Sequence, residues 1–295
     1  MRIIYRLLGR LPLPLLYAIS SFMALVLYRI ARYRRRVVAE NLAAAFPELD
    51  RNARIALEKR FYRHICDLGV EMLAARTLPR AEFSYRVELD NPEVLRPFAE
   101  QRQSVLFLTC HQGNWEWLLH AVSDYMGCPI DVVYKTLHDS AFDDFMFECR
   151  ARSGKPIAFK DAGREILRRR REFRGFAMLA DQAPFKRDKR YWHDFFGRPA
   201  SFYFGPQKIV EATQYPTIYV AMTKLRRGHY RAHFEVLAQP PIARGGFAVL
   251  DSYIAALERS IRAQPETWFW SNRKWKHVPP TAEEIAEEDA GEAAE

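Results

Sequence analysis

Val105-Leu106-Phe107-Leu108-Thr109-Cys110-His111-Gln112-Gly113-Asn114-Trp115-Glu116 is the stretch on which the fold turns. Val105 to Thr109 is an apolar run of strand length, and Asn114 to Met126 reads as a helix. Between them Gly113 permits a tight turn and Asn114 can cap the helix. A buried strand passing directly into a helix is the repeating unit of an α/β sheet, and such sheets receive ligands at the carboxyl ends of their strands. The polar cluster Cys110 to Glu116 therefore stands where a site belongs.

Working outward, strands and helices take turns. Strands are expected over 104–109, 130–134, 156–160, 175–180 and 217–223, and helices over 114–126, 141–152 and 163–173. Alternation of this kind predicts an α/β fold with a mostly parallel central sheet flanked by helices. His229 to Leu237 alternates cleanly and predicts an added antiparallel strand. Phe83, Tyr85, Val87 and Leu89 also alternate, which predicts a half-buried strand over 83–90. Upstream, 37–46 reads as a helix stopped by Pro47, and 51–76 as a longer one capped by Asp50.

His111 followed by an acid five residues on does not match the two-histidine spacing of a zinc helix. A loop histidine with a carboxylate in reach is instead a general base with its orienting acid: the carboxylate fixes the tautomer on one ring nitrogen while the other accepts a proton. His111 and Glu116 are the expected pair. Cys110 points to the opposite strand face from His111 and reads as a core residue rather than a nucleophile. Cys66, Cys110, Cys128 and Cys149 show no paired spacing, so neither a zinc site nor a disulfide framework is indicated.

The chain has 295 residues, 49% hydrophobic and 14% aromatic, enough for one large core. Leu11 to Tyr28 carries 18 uncharged residues between arginine clusters, close to the ~20 needed to span a bilayer. It reads as an uncleaved membrane anchor, with an interfacial or a core helix as alternatives, and the denser arginines after it favour a cytoplasmic body. The expected organisation is an anchor with a basic flank over 1–36, a catalytic domain over 37–280 and a disordered acidic tail over 281–295. The net charge is +9, and the seven acids of the tail raise the remainder to +16. Such a body favours anionic partners. The apolar segment and the lack of any recognition motif speak against nucleic acid.

His-Gln-Gly-Asn-Trp-Glu at 111–116 resembles the signature of the late acyltransferases of lipid A biosynthesis, within the glycerolipid acyltransferase superfamily. The resemblance runs through Arg35, Val38, Asn41, Leu42 and Phe46-Pro47, through 149–155, Leu179-Ala180-Asp181-Gln182 and Phe195 to Ala200, to 265–270 and Arg273 to Lys276. The chain departs from the family at Ala183, where a second acid is usual, and at Ser271-Asn272, where a histidine is usual. The resemblance implies transfer of a fatty acyl group from acyl carrier protein to a hydroxyl of a lipid A precursor at the bacterial inner membrane, without metal or cofactor. A lysophospholipid or an aminolipid is the alternative acceptor. His111 and Glu116 are the catalytic candidates, and Asn114, Arg150, Arg152 and Asp181 the substrate-binding ones. Arg150 or Arg152 is expected to meet a phosphate or oxyanion, and Asp181 to act as a positioning carboxylate. The arginines between Arg164 and Arg174 offer a dock for the acidic carrier protein or lipid phosphate, or simply a solvated face. Trp268, Trp270 and Trp275 suit a membrane interface or the core.

Overall fold

Two-sided burial of the strand before His111 organises the molecule, a computed structural model that describes residues 2–136, 139–185 and 189–280. Strands run β1 Val87–Leu89, β2 Val105–Thr109, β3 Ile130–Tyr134, β4 Pro156–Ala158, β5 Gly175–Leu179, β6 Arg190–Asp194, β7 Pro199–Tyr203, β8 Thr217–Arg226 and β9 His229–Ala238. Helices run α1 Arg2–Leu8, α2 Leu13–Leu25, α3 Arg35–Ala45, α4 Arg51–Ala74, α5 Arg80–Arg86, α6 Arg96–Glu100, α7 Trp115–Met126, α8 Ser140–Arg150, α9 Ala162–Arg168, α10 Gly205–Thr213 and α11 Ala248–Ala263.

Among the described residues seven strands form one sheet in the order β1-β9-β8-β2-β5-β3-β4. All neighbours are parallel except β8 and β9, which form the antiparallel pair expected. β2 lies in the interior of the sheet, and its alternate residues serve two cores. Leu106 and Leu108 pack with Phe176, Met178 and Tyr219 on one face. Phe107 packs with Leu118, Ile130 and Ile218 on the other. A parallel strand covered by helices on both faces needs such a continuous apolar run. A separate hairpin pairs β6 with β7.

Local chemistry sets the helix ends. Asp50 accepts from the Ala53 N–H at 2.7 Å, and Asn114 Oδ1 from the Trp117 N–H at 3.0 Å. α7 stops at Gly127, whose φ of 61° is left-handed and cheap only for glycine.

Two expectations change. The strand over 83–90 is in its first half helix α5, leaving only Val87–Leu89 extended. The pattern misled because Tyr85 is 67% exposed while Phe83 is buried on Trp117 and His120, so one face was never shared. Pro79 starts the turn, and the Arg86–Glu82 ion pair at 2.8 Å has helical spacing. The helix over 163–173 ends at Arg168, where Arg169 turns inward to bond Asp131 at 2.5 Å. The acidic tail expected over 281–295 lies outside the described residues.

The apolar segment forms α2 continued by a π-turn over Val26–Ile30, and Leu13–Ile30 is long and apolar enough to cross a membrane. One side of it is docked. Leu16, Ser20 and Ala24, spaced by one turn, are buried against the body. The Tyr17 hydroxyl donates to Glu71 at 2.8 Å, and Ser20 to Asp67 at 2.6 Å. Leu15, Phe22, Met23 and Leu25 remain exposed on the other side.

Candidate active site

Register brings the site together. Thr109 of β2 pairs with Leu179 of β5, so the residues two beyond each strand end, His111 and Asp181, stand side by side. His111 Nδ1 lies 2.7 Å from Asp181 Oδ1, and the His111 backbone N–H donates to Oδ2 at 3.2 Å. The buried Trp268 indole donates to Oδ2 at 2.8 Å. Burial alone would raise the Asp181 carboxyl, but His111 and the Trp268 donor outweigh it and hold it below the usual carboxylate range. An ionised Asp181 makes Nδ1 the protonated ring nitrogen and leaves the Nε2 lone pair outward, 3.3 Å from Gln182 Nε2.

The orienting carboxylate on His111 is thus Asp181, where Glu116 was expected. Glu116 points instead to Arg150: Nε meets Oε2 at 3.0 Å and Nη2 meets Oε1 at 2.6 Å. Five residues along a loop and helix turn look near, yet the parallel register places Asp181, seventy residues on, within hydrogen-bond distance of the imidazole. Glu116 is buried, and Trp115 adds an indole bond at 3.2 Å. Burial would raise its carboxyl, yet Arg150 prevails and lowers it; the Arg150 guanidinium, pushed down by burial, is raised on balance by Glu116. The remaining arginine nitrogen, Nη1, is buried and has no hydrogen-bond partner among the described residues.

The loop carrying His111 is fixed to the C-terminal segment. The Phe269 N–H donates to the His111 carbonyl at 3.0 Å, the Gly113 N–H to Thr267 at 3.2 Å, and the Gln112 amide to Ser260 at 3.0 Å. Gly113 has a φ of 64°, and a side chain there would meet Met222 Cγ at 2.9 Å. The backbone donors at Gly113 and Asn114 are both taken, the latter by Met222 Sδ at 3.1 Å. Neither is open to an oxyanion.

His111, Glu116, Arg150 and Gln182 rim a cavity that runs inward between α7 and the sheet, past Phe107, Leu118, Val122, Ile130, Val132 and Ala177. It holds about 1350 Å³ of free space including its open mouth. A polar rim over an apolar slot suits a ligand with one reactive end and a long apolar body.

The other candidates lie elsewhere. Asn114 is wholly buried, capping α7 and donating to Glu71 at 2.8 Å, so it positions the loop and does not face the cavity. Arg152 bonds the carbonyls of Ala75 and Leu78 and does not line the cavity. Cys110 is buried 3.6 Å from the Tyr219 hydroxyl, and burial, reinforced by Asp181, pushes its thiol well up. Of the run between Arg164 and Arg174, Arg164, Arg168, Arg169 and Arg174 are held in ion pairs with Asp161, Glu165, Asp131 and Glu172. Trp268 and Trp270 are core residues. The part played by Trp268 at Asp181 and that of Gln182 at Nε2 were missed; each stands in a segment the family resemblance had marked.

The model of the bacterial lipid A biosynthesis acyltransferase family matches residues 1–277. A search of curated proteins finds no significant match.

Proposed function

Because the chain belongs to the bacterial lipid A biosynthesis acyltransferases, and is thus an acyltransferase, we infer that it moves a fatty acyl group from an acyl carrier protein thioester to a hydroxyl of a lipid A precursor, with His111 as general base. The observation that carries this is the outward Nε2 of His111, backed by Asp181, at the rim of an apolar slot. The acyl chain lies in the slot with its carbonyl at the mouth. Each buried methylene contributes about 0.8 kcal/mol, so a two-carbon mismatch in chain length is felt more than tenfold.

The acceptor hydroxyl displaces the Gln182 contact and gives its proton to Nε2 as its oxygen attacks the thioester carbonyl. Asp181 stabilises the imidazolium. Arg150 Nη1, held in place by Glu116, receives the tetrahedral oxyanion. Collapse expels the thiolate, which takes the proton back from His111. Glu116 thus acts through Arg150. The apolar face of α2 seats the enzyme on the inner membrane with its body in the cytoplasm.

The test is the lipid product. Purified protein given acyl carrier protein thioester and a lipid A precursor should yield the ester, identified by mass spectrometry. His111→Ala should lose ~10²–10⁴ of that turnover. A His111→Ala protein of intact fold with most of its turnover would remove the base from the mechanism. Product on a lysophospholipid or an aminolipid alone would move the acceptor.

A further inference from the structure

A second cleft lies at the C-terminal end of the apolar segment. Its walls come from three parts of the chain: Arg32 and Arg34 just after Ile30, Arg198 in the turn between β6 and β7, and Arg273 with Lys276 near the C-terminus. Arg35 and Arg36 also border it but are matched by Glu58 at 2.7 Å and Glu40 at 2.6 Å. Arg32, Arg198 and Arg273 have no carboxylate partner among the described residues. Arg34 bonds the Ser271 carbonyl at 3.0 Å and has no carboxylate partner among the described residues. Guanidinium groups that share one cleft with a single lining carboxylate, Glu40, repel one another, and a bound anion relieves that cost.

Two features mark the arginines as more than a solvated face. Arg32 and Arg34 both have left-handed backbones, φ 48° and 49°, a conformation that strains a side-chain-bearing residue and that glycine or asparagine would relieve. Trp275, in the same wall, keeps a buried indole N–H without a hydrogen-bond partner among the described residues.

The cleft adjoins the reaction site. Lys276 Nζ stands 5.9 Å from the Phe185 ring, and Phe185 lines the cavity headed by His111. A lipid headgroup at the membrane surface would meet the cleft where the apolar segment ends.

We propose that this cleft binds a phosphate group of the lipid acceptor and so holds the acceptor hydroxyl toward His111. The proposal rests on the acyltransferase reading for its purpose but not for its test. A concave site fed by three chain segments fits a compact phosphate, whereas an acidic carrier protein would need an extended basic surface.

The experiment uses the full chain in detergent micelles, with a phosphorylated lipid A precursor and the same lipid after phosphatase treatment. Arg32→Asn and Arg273→Gln should each raise KM for the phosphorylated lipid by about tenfold, the loss expected of a charge-assisted hydrogen bond. kcat should stay within about twofold and KM for the acyl donor should not move, as for loss of uniform binding. With the dephosphorylated lipid the variants and the natural protein should converge. Arg32→Asn should not lower the melting temperature, since asparagine tolerates the left-handed backbone. Equal losses on both lipids would overturn the proposal. So would a rise confined to donor KM, which would give the cleft to the carrier protein. Weakened association with phosphatidylglycerol vesicles at unchanged acceptor KM would give it to bulk membrane lipid and overturn it too. Equilibrium binding of both lipids to the His111→Ala protein separates the two readings. If that protein prefers the phosphorylated lipid and the cleft variants erase the preference, the phosphate site stands even without acyl transfer.

Discussion

Asp181 holds His111 through two bonds and is itself held by Trp268, so both carboxylate oxygens are engaged and the carboxylate has one stable orientation. That arrangement separates the two acids of the site by experiment. Asp181→Asn keeps the shape but offers an amide N–H in place of one acceptor, which turns the imidazole so that Nε2 carries the proton. Turnover should fall by about 10³-fold or more, the scale seen when an orienting aspartate loses its charge. Glu116→Gln leaves the base intact and loosens Arg150, so it should lower kcat less. Single-turnover rates on both variants check this. Near-normal turnover in Asp181→Asn together with loss in Glu116→Gln would return the orienting role to Glu116.

At the scale of elements, the docked side of α2 shows what holds an apolar helix to a charged body. Asp67 of α4 is buried and accepts from Ser20 at 2.6 Å, from Lys224 at 3.1 Å and from Arg227 at 2.5 Å. Burial would raise its carboxyl, but Arg227 and Lys224 keep it low. Its stabilisation is therefore present above the ordinary carboxylate range and is lost as pH falls through the depressed value. Asp67→Asn leaves two cations facing each other and should cost roughly 3–5 kcal/mol, as expected when one partner of a buried ion pair is removed. A lower melting temperature and faster proteolysis within residues 13–30 should report it; an unchanged melting temperature would mean that apolar contacts alone hold α2. Much of this architecture was legible in the sequence, because β2 and β5 are short apolar runs and Asp50 and Asn114 are caps whose chemistry is local. What was not legible is long-range. No spacing within 111–116 says that β5 lies beside β2, and it is that adjacency which brings Asp181 to the His111 ring. Likewise Phe83 and Tyr85 alternate on paper, and only the packing of Phe83 under Trp117 shows the turn to be helical. The arginines between Arg164 and Arg174 look like a patch in one dimension because Asp131, which neutralises two of them, sits on β3.

At the scale of the whole molecule, a basic body keeps one of its cations inside. Lys274 is wholly buried, its ammonium 3.3 Å from the centre of the Phe202 ring and bonded to the Ser201 carbonyl at 2.9 Å. It ties the C-terminal segment, which carries Trp268 and Phe269 to the site, onto β7. Burial lowers its amine from 10.5 to about 7, with the like charge of Lys276 adding and Asp181 opposing. The sign of the consequence follows from proton counting. Between about 7 and 10.5 the unfolded chain holds a proton on Lys274 that the folded chain has released, so stability rises with pH across that window and levels off above it. Below about 7 the folded amine is charged as well, and the full cost of burying an ammonium is felt. Lys274→Met keeps the stem length and removes the titration. Denaturant unfolding at several pH values should show the natural protein gaining stability over this range relative to the Met variant, with the difference between them narrowing as pH rises. A constant difference from pH 7 to 10 would mean that Lys274 stays charged in the folded protein, and that the Phe202 face and the Ser201 carbonyl suffice to hold an ammonium in the core.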